Sequence, residues 1–209
     1  MRILARTLAG AAAIALTLTT AMPVAGAATV LRKYQYFNLN GHTAADLDRE
    51  LGRRGPVLSK TGARHPGMTR MRFDSKVKFG SNGKNCRVVA ADIVVRANVH
   101  LPRWKQRRTA KRDLALIWDT LSADIKRHEE SHIVIARTAA GTMERQIKAL
   151  PWRKDCVAMK GDIDALMAKL LKQHDAAQVQ FDRIETVNFD SRFERLLAYR
   201  LVREFDGKP

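Results

Sequence analysis

The sequence is poor in acidic and in aromatic residues. It has 21 acidic residues against 38 lysines and arginines, which gives a formal net charge of +17 at pH 7, and 6% of its 209 residues are aromatic. The positive excess favours anionic partners such as lipid headgroups, acidic cell-wall polymers or nucleic acid. Few aromatic residues lie among the basic ones, and no nucleic-acid recognition motif is present. We therefore expect no nucleic-acid partner.

Long apolar runs are absent after the first 28 residues. Within those residues Arg2 and Arg6 precede a run of Ala, Leu, Ile and Thr, and Ala25-Gly26-Ala27 forms a small-x-small site. This layout predicts a secretory signal peptide over residues 1–27; the alternative is an uncleaved N-terminal helix. We expect the mature chain, residues 28–209, to be a soluble single domain without a transmembrane segment, in the periplasm or secreted.

Cysteine is limited to one pair, Cys86 and Cys156. In an oxidising compartment such a pair usually forms a disulfide, and the long loop that it closes would contribute about 4 kcal/mol on a chain-entropy model. The alternative is two buried free thiols.

The patterning predicts a mainly β part, 28–104, followed by a helical part, 105–209. A β-branched and aromatic run at 29–39 and alternating runs at 69–79 and 86–101 predict three strands, the last two forming a long hairpin. Thr43 and Asp46 resemble a capping box before a short helix near 44–53. Apolar spacing predicts a helix from about Lys111 to Ala149, a second from Cys156 to the high 180s, and a basic helical segment after that. The predicted fold class is α+β: a small antiparallel sheet, then a long helical pair.

The first long helix contains His128-Glu129-Glu130-Ser131-His132, an H-E-x-x-H sequence. His128 and His132 lie four residues apart on one helix face, so both imidazoles can bind one Zn²⁺ ion. Glu129 can reach a metal-bound water without being a ligand, and can act as the general base of a hydrolase. Both histidines are in phase with Leu121 and Ile125, so we expect them to face the packed side. The alternative is a charged helix whose histidines merely pack.

A third protein ligand is expected from the return helix. No H-E-x-x-H-x-x-G-x-x-H pattern is present, so the chain is not a metzincin. In an antiparallel hairpin, equal rise brings roughly 173–182 level with the histidines. His174, Gln178 and Asp182 share one face there, and Glu185 continues it. His174 and Asp182 are about 12 Å apart along the axis, so one would ligate while the other orients a histidine.

These residues resemble a bacterial family of predicted secreted zinc-dependent proteases, long catalogued as a domain of unknown function. The resemblance covers "LDRELGRRGP", Leu101-Pro102-x-Trp104, the H-E-x-x-H helix and Phe181-Asp182. It implies zinc and peptidase-type hydrolysis. Relatives often have Tyr-Asp-x-x-Thr-x-His-Gly where this chain reads "FDRIETVN", so the His-Gly is missing. The shared aspartate favours Asp182 as third ligand, with His174 as the alternate.

We therefore predict an exported zinc metallohydrolase, a peptidase acting on peptides or proteins of the cell envelope. His128, His132 and Asp182 would bind Zn²⁺, Glu129 would be the base, and His174 or Glu185 would be an alternate ligand or would support one. The competing prediction is a non-enzymatic envelope-binding protein with a structural or vestigial metal. It would hold anionic polymers or lipids on a basic strand face that carries Arg70, Arg72, Lys76 and Lys78.

Overall fold

A computed structural model describes residues 28–57 and 62–205, so the predicted signal peptide lies outside the described residues. These residues form three strands and four α-helices, in the order β1 Thr29–Leu39, α1 Ala44–Arg54, β2 Met68–Ser81, β3 Cys86–Trp104, α2 Arg112–Lys148, α3 Cys156–Val187 and α4 Phe189–Phe205. A short 3₁₀ turn, Arg107–Thr109, precedes α2. The α+β class predicted from the patterning is confirmed.

The sheet has the strand order β1-β3-β2 and is mixed. β2 and β3 form the predicted antiparallel hairpin, but β1 runs parallel to β3, from Thr29 opposite Val94 to Leu39 opposite Trp104. The expectation of an entirely antiparallel sheet was therefore wrong in this pair. Residue alternation shows which face of a strand is buried but not the direction of its neighbour. The connection through α1 reverses the chain direction into β2, and the hairpin reverses it again into β3, so β1 and β3 point the same way.

The helices cover one face of the sheet. Buried and exposed residues alternate along β3, as expected for a strand with one solvated face. Ala97, Val99 and Leu101 pack against Ile125 and Ile133 of α2. A larger cluster joins the first half of β3 to α2 and α3 and includes Val88, Ala91, Ile93, Ala140, Met143, Ile147, Met159 and Ile163. None of the helices in the described ranges combines the length and apolarity needed to cross a bilayer.

Two local predictions are confirmed by direct contacts. Thr43 caps α1 by accepting a hydrogen bond from the Asp46 amide at 3.1 Å, and the Asp46 carboxylate accepts from the Thr43 amide at 3.1 Å. Cys86 and Cys156 form a disulfide between the first residues of β3 and α3. The bridge fastens one end of the α2/α3 hairpin to the sheet.

Candidate metal centre

The H-E-x-x-H segment lies midway along α2 and presents two different faces. Glu129 points to the sheet and is buried with Ile125 and Ile133. His128 and His132 point to α3, and their side chains are 27% and 13% exposed. The histidines were expected to face the packed side, and they face α3 partly buried, while Glu129 lies on the more buried stripe against the sheet. A step of one residue turns about 100° around a helix, so the motif divides its residues between two neighbours.

The return helix brings Asp182 to both histidines. Nε2 of His132 lies 3.1 Å from Nε2 of His128. Oδ1 of Asp182 lies 3.1 Å from Nε2 of His132 and 3.4 Å from Nε2 of His128. These three residues are a group of His, Cys, Asp or Glu side chains able to converge on one ion within the described part of the chain. Equal rise along the two helices accounts for their meeting.

The other nitrogen of each imidazole faces an acceptor. Nδ1 of His132 lies 2.5 Å from Oε1 of Gln178, and Nδ1 of His128 lies 3.5 Å from Oε2 of Glu185. An acceptor at Nδ1 favours the tautomer that carries its proton there. Both Nε2 lone pairs are then directed to the space shared with Asp182, which is the arrangement that metal-binding histidines commonly have.

His174 does not reach the group formed by His128, His132 and Asp182, because Gln178 lies between His174 and His132. It is buried, packs edge-on against Phe73 of β2, and reaches His132 only through Gln178. Nε2 of Gln178 contacts Nε2 of His174 at 2.7 Å and donates to the His132 carbonyl at 3.1 Å. The Gln178 amide thus presents its oxygen to the His132 ring. The spacing of four residues that links His174, Gln178 and Asp182 was the signal for this arrangement in the sequence.

Glu129 is held by the start of β2. The Thr69 hydroxyl lies 2.7 Å from Oε2 of Glu129 and donates to it. Gly67 passes so close that a Cβ there would lie 2.7 Å from Oε1 of Glu129. Burial raises the pKa of Glu129, while the Thr69 hydrogen bond and the nearby histidines act in the opposite direction and only partly offset it. Neither Thr69 nor Gly67 was predicted to meet Glu129, because both are about sixty positions away from it along the chain.

A network of ion pairs holds Glu185, the side chain that contacts Nδ1 of His128. Asp124, which is 4% exposed, accepts from Arg127 at 2.9 Å and from Arg192 of α4 at 3.1 Å. Both arginines also pair with Glu185, the partner of His128. Burial raises the pKa of Asp124, but hydrogen bonds from Arg192 and Arg127 outweigh it and hold that pKa below its ordinary value. Asp124, Arg127 and Arg192 were not predicted, because the Arg192 contacts come from α4, whose docking no local pattern shows.

The three converging atoms fit a divalent metal. Tetrahedral zinc with bonds of about 2.0–2.1 Å separates its ligand atoms by about 3.3 Å. The observed separations of 3.1, 3.1 and 3.4 Å match this value. Two imidazoles and one carboxylate are also a donor set that zinc accepts. Phe181 packs against both imidazoles, with ring centroids 5.0 and 5.1 Å away, and shields one side of the group.

The electrostatics of the group call for a positive charge between the three side chains. Burial raises the pKa of Asp182, but hydrogen bonds with His128 and His132 outweigh it and the pKa lies well below its usual range. Burial lowers the pKa of His132, but its contacts with Asp182 and Gln178 outweigh that and raise it. These directions favour a negative Asp182 beside a positive partner, either a protonated histidine or a bound cation.

Comparison with known proteins identifies the family. The model of a bacterial family of unknown function, DUF922, matches residues 34–189, and the chain belongs to that family. The match includes the H-E-x-x-H helix, the return helix and all three strands in whole or in part. No curated protein and no solved structure matches the chain.

Proposed function

We propose that this member of the DUF922 family is an exported zinc-dependent metallohydrolase that acts as a peptidase. His128, His132 and Asp182 would hold the zinc, and Glu129 would be the general base. The observation that supports this most strongly is the triangle of Nε2, Nε2 and Oδ1 atoms with sides of 3.1, 3.1 and 3.4 Å, next to a buried glutamate. The resemblance to predicted zinc-dependent proteases points the same way.

A zinc ion held by these three residues would supply a Lewis acid able to polarise a carbonyl and acidify a water molecule. The protein's own residues would do the rest. Gln178 and Glu185 orient the two imidazoles through their Nδ1 atoms. Thr69 fixes Oε2 of Glu129, which leaves Oε1 to take a proton from the attacking water and to return it to the leaving amine. Histidine orientation and proton transfer are thus assigned to separate side chains.

A peptide substrate is supported by the position of β2. Among the described strands, β2 is at the edge of the sheet, paired to β3 on one side and to no strand on the other. Its first residues lie beside Glu129, because Thr69 donates to that carboxylate and Gly67 lies against it. An extended peptide can add to a free strand edge through main-chain hydrogen bonds. Such a peptide would pass close to the proposed base.

The first test is metal content. The purified full-length protein should carry one zinc per chain, and His128→Ala, His132→Ala and Asp182→Ala should each lose most of it, as measured by atomic absorption and zinc titration. His100→Ala is a matched control, because His100 lies on β3 and outside the group. Zinc-free protein from a chelator-free preparation, or full zinc content in His128→Ala, would contradict the proposal.

The second test is the base. Glu129→Gln keeps the shape of the side chain and an oxygen for the Thr69 hydroxyl. It should retain the zinc and the fold but lower hydrolysis of a peptide library by about 10²–10⁴-fold. Cleavage that persists at the wild-type rate in Glu129→Gln would exclude Glu129 as the base. A zinc-bound wild-type protein that cleaves no member of the library would instead favour the non-enzymatic envelope-binding alternative.

A further inference from the structure

The face of the sheet that the helices leave open carries a surplus of positive charge. Inward residues of β2, such as Met71, Phe73 and Val77, pack against the core, so the residues between them point to solvent. The outward charged residues of the three strands include six cations, Lys33, Arg70, Arg72, Lys76, Lys78 and Arg96, and two acids, Asp74 and Asp92. The four cations at the centre of this face are Lys33, Arg70, Arg72 and Arg96. All four are exposed, and no described residue covers them.

Four of these cations surround one depression. Strand register places Lys33, Asn98 and Arg70 in one row across the sheet, and Leu31, Arg96 and Arg72 in the next. Together they line a shallow cavity of about 460 Å³. Neighbouring strands are about 4.8 Å apart, so these four cationic side chains lie within reach of one anionic group.

The arrangement is costly for the sheet alone. Arg72 lies directly opposite Arg96, and like charges at opposed positions destabilise a strand pair. Asp74 bridges the two, at 3.4 Å from Arg72 and 2.5 Å from Arg96, and so offsets part of their repulsion. Among the described residues no carboxylate pairs with Arg70 or Lys33. An external anion would complete the neutralisation.

We propose that this open sheet face, centred on Lys33, Arg70, Arg72 and Arg96, docks the protein on an anionic phospholipid membrane. Guanidinium groups bind phosphate oxygens in a bidentate way, and each Lys or Arg near an anionic bilayer strengthens its binding. The cations spread over three strands and about 27 Å of β2, which suits a planar array of headgroups. A nucleic acid fits less well, because none of the residues that line the depression is aromatic.

Docking by this face would orient the candidate metal centre. His128, His132 and Asp182 lie on the helices, and the helices pack on the opposite face of the sheet. The metal centre would therefore be directed away from the bilayer. This inference does not depend on zinc or hydrolysis, so the two proposals can fail separately.

The test is vesicle co-sedimentation of the full chain. Wild type is compared with Lys33→Gln/Arg70→Gln/Arg72→Gln on phosphatidylcholine vesicles with and without phosphatidylglycerol. The expected result is binding that requires phosphatidylglycerol, weakens as salt rises, and falls on the order of tenfold to a hundredfold in the triple variant. Residues 1–27 are the same in both proteins, so the difference between them reports on the sheet face.

Lys160→Gln/Lys169→Gln/Lys172→Gln is the matched control, because it removes the same charge from exposed positions of α3. Circular dichroism melting of both variants checks that they fold. An equal loss of binding in the two triple variants would overturn the proposal, since it would assign the effect to net charge. Binding that ignores phosphatidylglycerol, or that soluble polyphosphate captures while vesicles do not, would also overturn it.

Discussion

The two ends of the α2/α3 hairpin are built from different chemistry. At the end near the connection, Met143 and Ile147 of α2 meet Met159 and Ile163 of α3, all at most 6% exposed, and the Cys86–Cys156 disulfide fastens α3 to the sheet. At the far end the facing side chains are His128, His132, Gln178, Asp182 and Glu185. The same two helices are thus held by packing at one end and by polar contacts at the other.

This difference has a physical consequence. Apolar burial is non-directional and tolerates repacking, whereas a partly buried polar group is stable only when each member finds its partner. The disulfide end can hold the helices together without the polar end. The polar end is therefore the place where a ligand has most effect, so metal affinity should depend on its residues and not on the disulfide.

The largest change in the free energy of unfolding is expected from the ion pairs that Asp124 forms with Arg127 and Arg192. Asp124→Asn would leave Arg192, whose side chain is 13% exposed, with a weakened partner. Removing one member of a buried ion pair costs about 3–5 kcal/mol of the free energy of unfolding. Urea denaturation of wild type and variant at neutral pH measures this loss. Asp164→Asn, at an exposed position of α3, should change stability little.

The same pair predicts a pH dependence. Arg192 and Arg127 hold the pKa of Asp124 below its unfolded value, so its stabilising effect is complete above about pH 3.9 and is lost as the pH falls through that value towards the lower folded pKa. The stability gap between wild type and Asp124→Asn should therefore be constant near neutral pH and should narrow in acid. A gap that widens in acid would show that the pairing has been misassigned.

Changes at the disulfide end should lower stability without changing zinc affinity. Cys86→Ser/Cys156→Ser opens a bridge between positions 70 residues apart and should lower the free energy of unfolding by about 2–5 kcal/mol. Zinc affinity of the folded variant should match wild type, because the disulfide is at the other end of the hairpin. Reduced wild type serves as an independent check. A variant that loses zinc affinity but keeps its stability would break the division between the two ends.

Much of this fold was predictable from the sequence, because local periodicity governs it. The strands, the three helices of the C-terminal part and the α1 capping box follow from patterns within short windows. The parallel pairing of β1 and β3 did not follow, because side-chain alternation is the same for either direction. Helix length also predicted which part of α3 would lie level with His128 and His132, since rise per residue is constant.

The surroundings of the candidate centre were less predictable. Asp182 and His174 both satisfied the level-height argument, and only the rotation of α3 decides that Asp182 meets the two Nε2 atoms while His174 contacts Gln178. Rotation depends on packing over the whole interface and not on a local pattern. Thr69 and Arg192 were missed for a related reason, since each meets its partner across about sixty or more positions.

The smallest predicted effect concerns Gln178, whose side chain lies between His132 and His174 at the polar end. Gln178→Leu removes the acceptor from Nδ1 of His132 and the contact with His174, yet it leaves the three metal donors in place. Loss of such an orienting partner typically weakens metal affinity about 10–100-fold. Competition titration with a zinc-binding dye measures the change. Gln180→Leu makes the same substitution at an exposed position two residues on and should keep wild-type affinity. If Gln178→Leu binds zinc as tightly as Gln180→Leu does, His132 is oriented by helix packing alone. His174 would then be a core residue, and Glu185 beside His128 would be the remaining side-chain support for the ligands.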